Sequence, residues 1–260
     1  MAITGAAELL ATWEAGLAEA STGRALLLHR TARPDVDAAT LPVLPVGERE
    51  ADLFALRRAL FGERMQVRLA CSACGADMEF DLDAGEFARS LGGAGGLSGG
   101  PGGPGDGPGG PGGSVVRVRQ DGWDVEFRLP GVADLTAAAR AADPRAALLA
   151  RCLVSAVRDG TTTVGAGDLP VPVQRRIAEA VEAVDPGADV TLNIACPECG
   201  EATRAELDIA SYLWTELDAW ARDLLLDVHL LATSYGWSEP EILALSPLRR
   251  RYYLELCADV

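Results

Sequence analysis

Lysine is absent from this chain of 260 residues, and all 23 basic residues are arginine. With the abundant alanine and glycine, that points to coding bias and says little about mechanism. Acidic residues outnumber basic ones, giving a net charge of −15. Tight duplex binding depends on basic groups that neutralise phosphates, so nucleic acid is not an expected partner. The only run of three arginines, Arg249, Arg250 and Arg251, reads as a solvated cluster. There are only two histidines, His29 and His229, and no HExxH. That argues against a zinc hydrolase or a catalytic histidine, and both residues sit in apolar surroundings that suit a core or boundary position. GxSxG and paired-carboxylate motifs are also missing. No apolar run approaches the roughly 18 residues of a membrane span. Residues 1–20 carry Glu8 and Glu14 and lack the basic start of a signal peptide. The expectation is a cytoplasmic protein without membrane association, catalytic residues or a small-molecule substrate.

Six cysteines are present, and a reducing compartment favours metal binding over disulfides. Four of them fall in two copies of one pattern. Met65, Val67 and Leu69 alternate with polar neighbours before Cys71-Ser72-Ala73-Cys74-Gly75, and Met78, Phe80 and Leu82 alternate after it. Val190, Leu192 and Ile194 then lead into Cys196-Pro197-Glu198-Cys199-Gly200, with Ala202–Leu207 returning. Each copy reads as strand, turn, strand, followed by a Leu-Asp pair (Leu82-Asp83 and Leu207-Asp208). This is a two-fold internal repeat with one knuckle per copy. A CxxC at a hairpin tip offers two thiolates on one side of a turn, and the following glycine permits the backbone angle required. Two knuckles complete a tetrahedral site, so Cys71, Cys74, Cys196 and Cys199 are the expected ligands of one structural zinc ion. A redox CxxC, a zinc ion shared between two chains and a site that has lost its metal are the competing readings. Cys152 and Cys257 lie on apolar helical stretches and read as core thiols.

The rest of the chain reads as mixed helix and strand. Residues 4–20 have helical spacing with Leu9, Leu10, Trp13 and Leu17 on one face, and residues 48–60 resume it through Leu53, Leu56 and Leu60, stopping at Gly62. Ala25–Leu28 is an ambiguous apolar run, and Pro34–Pro45 is loop. Residues 92–113 hold 14 glycines and 4 prolines, the composition of a flexible linker. No lysine follows that tract, so it is not a phosphate loop. Asp121-Gly122 between Val115–Arg119 and Trp123–Leu129 predicts a hairpin. Leu135–Val157 reads as helical with a break at Asp143-Pro144, and Val173–Val184 as a further helix. From Asp208, the residues Ile209, Leu213, Leu217, Trp220, Leu224, Val228 and Leu231 make one apolar stripe that ends at Gly236. Ser238 and Glu241 fit a capping box, and Ser246-Pro247 opens a last helix presenting Leu248, Tyr252 and Leu256.

Aromatic residues concentrate at this end: Trp214, Trp220, Tyr235, Trp237, Tyr252 and Tyr253 read either as core packing or as an exposed seam for a partner. The second knuckle running into Tyr212-Leu213-Trp214, and the tail from Tyr235-Gly236-Trp237-Ser238-Glu239 through Ile242-Leu243-Ala244-Leu245-Ser246-Pro247, carry a resemblance. Over residues 48–82 and 190–257 the chain resembles the baseplate hub assembly chaperone-like proteins of T4-type phages and of related bacterial contractile injection systems. The resemblance implies a non-enzymatic assembly role, with baseplate hub or spike proteins as partners. It transfers no catalytic residue. A zinc-ribbon module acting on nucleic acid or the transcription machinery is the alternative, and the negative charge weighs against it.

The expected fold class is α+β, a small zinc-ribbon-like β unit of two CxxCG hairpins with N- and C-terminal helices and an inserted segment of hairpin plus helices. Along the chain this gives an N-terminal helical segment (1–62), the first knuckle hairpin (63–83), a Gly/Pro-rich linker (84–114), an inserted hairpin and helices (115–187), the second knuckle hairpin (188–208) and C-terminal aromatic helices (209–260).

Overall fold

The computed structural model describes residues 5–93, 115–160, 162–163 and 165–258. In chain order the elements are α1 (Ala6–Leu17), α2 (Ser21–Ala32), α3 (Val46–Phe61), β1 (Arg64–Ala70), β2 (Asp77–Asp83), α4 (Ala84–Gly93), β3 (Val115–Gln120) and β4 (Trp123–Arg128). There follow α5 (Val132–Ala139), α6 (Pro144–Cys152), β5 (Leu153–Arg158), β6 (Thr162–Thr163), α7 (Val171–Val184), β7 (Thr191–Ala195), β8 (Ala202–Glu206), α8 (Ile209–Tyr235), α9 (Glu239–Leu243) and α10 (Pro247–Ala258). Short 3-10 turns occupy Leu41–Val43, Ala166–Asp168 and Pro186–Ala188. These elements fall into two units, one from the described parts of Met1–Ala32 and Ile209–Val260, the other from Arg33–Asp208. The segment 1–62 is therefore not one body, because α1 and α2 pack with α8 whereas α3 belongs to the second unit.

In the helical unit, α8 buries Ile209, Leu213, Leu217, Leu224, Val228 and Leu231 along one face, as three- and four-residue spacing requires. Trp214 is buried beside that stripe, whereas Trp220 is only half-buried. The Trp214 ring lies over Gly16 of α1, where any side chain would overlap it. The Arg24 guanidinium of α2 covers the ring at 4.7 Å from its centroid. Trp13 Nε1 donates to Asp218 Oδ1 at 2.9 Å. Leu17 is exposed, because α1 ends there and buried Gly16 takes the contact expected of it. The run at Ala25–Leu28 is helical, within α2. Gly236 ends α8 with φ +70°, and the capping box of Ser238 and Glu241 starts α9. Of the three consecutive arginines, Arg250 is not solvated: it is buried and its Nε donates to Asp227 Oδ2 at 3.0 Å. His29 is buried and His229 is exposed.

The second unit holds a four-stranded antiparallel sheet in the order β3-β4-β5-β6 and two separate hairpins, β1-β2 and β7-β8. Asp121 (φ +51°) and Gly122 (φ +80°) make the expected tight turn between β3 and β4. The insertion is more than a hairpin with helices. The helix expected to continue through Val157 stops at Cys152, and Leu153–Arg158 forms β5 against β4. Val116, Val118, Trp123, Val125, Phe127, Ala156, Val173 and Ile177 form the core beneath this sheet. Residues 84–93, assigned from composition to the linker, form α4, whose Glu86 N–H is accepted by Asp83 Oδ1 at 2.7 Å. The rest of that tract, 94–114, lies outside the described residues.

The internal repeat extends well beyond the knuckles. At the offset of 125 positions that takes Cys71 to Cys196, the turn Leu41–Val43 maps onto Ala166–Asp168. The helix N-cap Pro45 (φ −51°, ψ 142°) maps onto Pro170 (φ −60°, ψ 148°). Under the same offset the first residue of α3 falls on that of α7, and the first residue of α4, Ala84, on that of α8, Ile209. Ala84 and Ile209 are both completely buried. The repeating unit is therefore turn, helix, strand, CxxCG, strand, helix. Among the described residues no helix is long and apolar enough to cross a membrane.

Candidate metal centre

Each knuckle is built by backbone geometry that its sequence dictates. β1 ends at Ala70 opposite Asp77, and β7 ends at Ala195 opposite Ala202. In the first copy Cys71 N–H donates to Ala76 O at 2.8 Å and Gly75 N–H to Cys71 O at 3.0 Å. In the second, Cys196 N–H donates to Glu201 O at 2.8 Å and Gly200 N–H to Cys196 O at 2.9 Å. Gly75 (φ +73°) and Gly200 (φ +76°) take the left-handed conformation that reverses the chain, and there a side chain would be strained. The first cysteine of each pair is buried and the second exposed.

The four sulfurs of Cys71, Cys74, Cys196 and Cys199 all lie within 4.8 Å of one another. Cys71 Sγ is 3.7 Å from Cys199 Sγ, and Cys74 Sγ is 3.7 Å from Cys196 Sγ. These spacings are too long for disulfides, and all four cysteines are free. A tetrahedron with metal–sulfur bonds of about 2.3 Å has sulfur–sulfur edges of about 3.8 Å. The donor set thus fits one metal ion, held between the two hairpins of the same chain.

The electrostatics suit a cation. The N–H groups of Cys74 and Ala73, with the Thr203 hydroxyl as a further donor, push the Cys71 thiol down to about 6. Cys199 goes the other way: the Glu201 N–H favours its thiolate, but Cys74, partial desolvation, Cys71 and Cys196 outweigh it and push it up to about 12. Cys74 is raised as well, its Ala76 N–H donor being outweighed in the same manner, chiefly by Cys71. Four thiolates so close cannot all ionise against one another. A bound cation removes that conflict, and its binding releases protons.

Cys152 is fully buried, and burial raises its thiol to about 11. Cys257 packs against Val228, Leu231 and Ile242. Neither joins the cluster. Thr203, which the sequence reading did not single out, reaches it from β8. Its hydroxyl oxygen accepts from Ser72 N–H, next to Cys71, at 3.4 Å. It was legible only as the polar residue at a buried strand position. An open groove of about 690 Å³ between α6, α7 and β7 also went unforeseen; Phe127, Leu148, Leu149, Ile177, Val181 and Val190 wall it.

The six aromatic residues considered for partner binding have different fates, Trp220 being half-buried. Trp214 is core, held by α1 and α2 as described above. Tyr235 stacks on Trp237 at 4.7 Å, and Tyr253 meets both edge-on, at 5.8 and 4.8 Å. This cluster ties α8 to α10. Tyr252 is 61 % exposed, between Leu248 and Leu256, which are exposed to a similar extent. That leaves an open apolar stripe at four-residue spacing along α10. No family model, curated protein or solved structure matches this chain.

Proposed function

We propose that the chain binds one zinc ion through Cys71, Cys74, Cys196 and Cys199, and that this ion is structural. The observation behind this is the closed set of four sulfurs at tetrahedral spacing. Four soft thiolates favour zinc over hard cations, and a set with no open position leaves no place for a metal-bound water. Elemental analysis of protein purified under reducing conditions is expected to give one zinc per chain. Protein that is folded, reduced and free of metal would refute the assignment.

In this reading the protein is a non-enzymatic assembly factor for the baseplate hub of a phage-tail-like contractile injection system, acting in the cytoplasm on hub or spike proteins. The sequence from Tyr235 to Pro247 supports that reading, together with the exposed stripe of Leu248, Tyr252 and Leu256 beside it. Apolar side chains at this spacing are how a helix engages a groove on a partner. Tyr252→Ala combined with Leu248→Ser is expected to leave the helical circular dichroism unchanged. Affinity for the hub partner is expected to fall by on the order of 2 kcal/mol, roughly thirtyfold. Undiminished co-purification of hub proteins with that variant would remove the stripe from the interface.

A further inference from the structure

The two knuckles share a backbone but are not interchangeable. At the repeat offset Ser72 corresponds to Pro197, and Met78 to Thr203. Met78 and Thr203 are equally buried, at 4 % and 5 % exposure, so both point inward from the second strand of their hairpin. On one side of the centre the Ser72 N–H meets the Thr203 hydroxyl. On the other side Pro197 has no N–H and Met78 offers only a weak thioether acceptor. Donor and acceptor occur together on one side and are both missing from the other. Met78 instead packs with Cys71 and Cys196, alongside Leu69, Ala76 and Ile194.

Pairing the first knuckle with a copy of itself would set each Ser72 N–H against a Met78 side chain. Pairing the second with itself would set each buried Thr203 hydroxyl against a proline nitrogen without hydrogen. Only the unlike pair gives the Thr203 oxygen a backbone donor, the Ser72 N–H of the opposite knuckle. A buried polar group that loses a hydrogen-bond partner is destabilising, so the arrangement favours one knuckle of each kind.

We propose that Thr203 is a positioning residue of the metal centre: by accepting from the Ser72 N–H it fixes the turn that carries Cys71 and matches the two unlike half-sites to each other. This rests on the zinc reading above. It acts through Cys71, since Thr203 itself offers no ligand. Residues that orient a metal ligand in this way change affinity by about tenfold to a hundredfold when replaced.

The test uses the full chain, stripped of metal under reducing conditions and titrated with cobalt(II) and then zinc. Thr203→Val keeps the shape and removes the hydroxyl; Thr203→Ser keeps the hydroxyl. Thr203→Val is expected to bind at least tenfold more weakly and to shift the cobalt d–d bands, because one thiolate is no longer fixed. Thr203→Ser is expected to restore affinity to within about threefold and to restore the spectrum. Ser72→Pro copies the residue of the other knuckle, which its turn accommodates, and removes the N–H donor; it should weaken binding in the same direction. Wild-type affinity and spectrum in Thr203→Val would overturn the proposal, as would equal losses in Thr203→Val and Thr203→Ser, which would make the role one of packing. Should Thr203→Val not fold, Ser72→Pro with wild-type affinity overturns it. Failure of the wild-type protein to take up either metal refutes the zinc reading instead, and is read from a separate sample.

Discussion

Chelation of the metal under reducing conditions is expected to release the two hairpins from each other while leaving the helical unit folded. Structural zinc contributes on the order of 10–16 kcal/mol of apparent folding free energy, and whole domains are stable by only about 5–15 kcal/mol. The hairpins have little else to hold them. The cluster at their junction consists of Cys71, Met78 and Cys196, with Leu69, Ala76 and Ile194 packed partly against it. The bridged residues are 122 and 128 positions apart, so the contact also closes a long loop against chain entropy. The sheet β3–β6 has its own core of valines, Trp123, Phe127 and Ile177, and the helical unit is built on Leu213, Leu217, Leu224 and Leu231. Hydrogen exchange should therefore accelerate by several orders of magnitude in β1, β2, β7 and β8 and far less in β4 or α8. Cys196→Ser with Cys199→Ser should reproduce the pattern in the absence of chelator. Equal protection of β1 and β7 with and without metal would mean that the hairpins are held by something other than the ion.

The parts of this fold that were legible in the sequence are those where one local rule acts alone. CxxCG needs its glycine at positive φ, alternation on both sides of it defines a hairpin, and Asp121-Gly122 fits only one kind of tight turn. The long stripe of α8 needed only a count of threes and fours. The cluster of four cysteines was legible for a related reason: four thiols in two identical motifs constrain each other even at long range. What escaped was decided by context. Leu153-Val154-Ser155-Ala156-Val157 continues the apolar pattern of α6, and a short run of this sort does not distinguish helix from strand. It becomes β5 because β4 offers it an open edge. The linker composition begins at Gly92, but Asp83 already caps a helix, so the ten residues from Ala84 to Gly93 follow the repeat and not the glycine tract. Trp214 read either as core packing or as an interface anchor, because tryptophan serves as both. Gly16 and Arg24 make it core, and neither could be matched to it from the sequence. Thr203 was hidden because its partner, Ser72, lies on the other copy of the repeat.

Asp134 was equally hidden, and the largest effect of a single side chain outside the metal centre is expected there. It lies in the first turn of α5 with a side chain only 4 % exposed. Arg128, at the end of β4, donates to both of its oxygens at 2.7 and 3.0 Å. Arg151 near the end of α6 adds a bond of 3.2 Å, and the Gly131 N–H one of 3.0 Å. One carboxylate thus fixes the corner at which the chain leaves β4, turns through α5 and α6 and enters β5. Burial by itself would raise its pKa, but the hydrogen bonds from Arg128 and Gly131 and the charges of Arg128 and Arg151 outweigh burial and hold it below the ordinary carboxylate value. Asp134→Ala removes all of these bonds and leaves two guanidinium groups facing an apolar side chain. Loss of one partner from a buried ion pair costs about 3–5 kcal/mol. Arg151 is 44 % exposed, so water recovers part of its loss, and a value of about 3 kcal/mol is expected in urea denaturation followed at β4 or β5. Asp134→Asn should lose less, since its carbonyl still accepts from Arg128. The pH dependence has a definite sign. A carboxylate whose pKa is lower in the folded than in the unfolded chain contributes its full stabilisation above the unfolded value, about 3.9, and loses it as pH falls through the folded value. The stability gap between wild type and Asp134→Asn should therefore be constant from pH 5 to 7, and should narrow as the pH drops below about 4. A gap that stays constant down to pH 2.5, or an Asp134→Ala variant as stable as wild type, would show that the corner is held by its apolar neighbours and that the ion pairs contribute nothing to it.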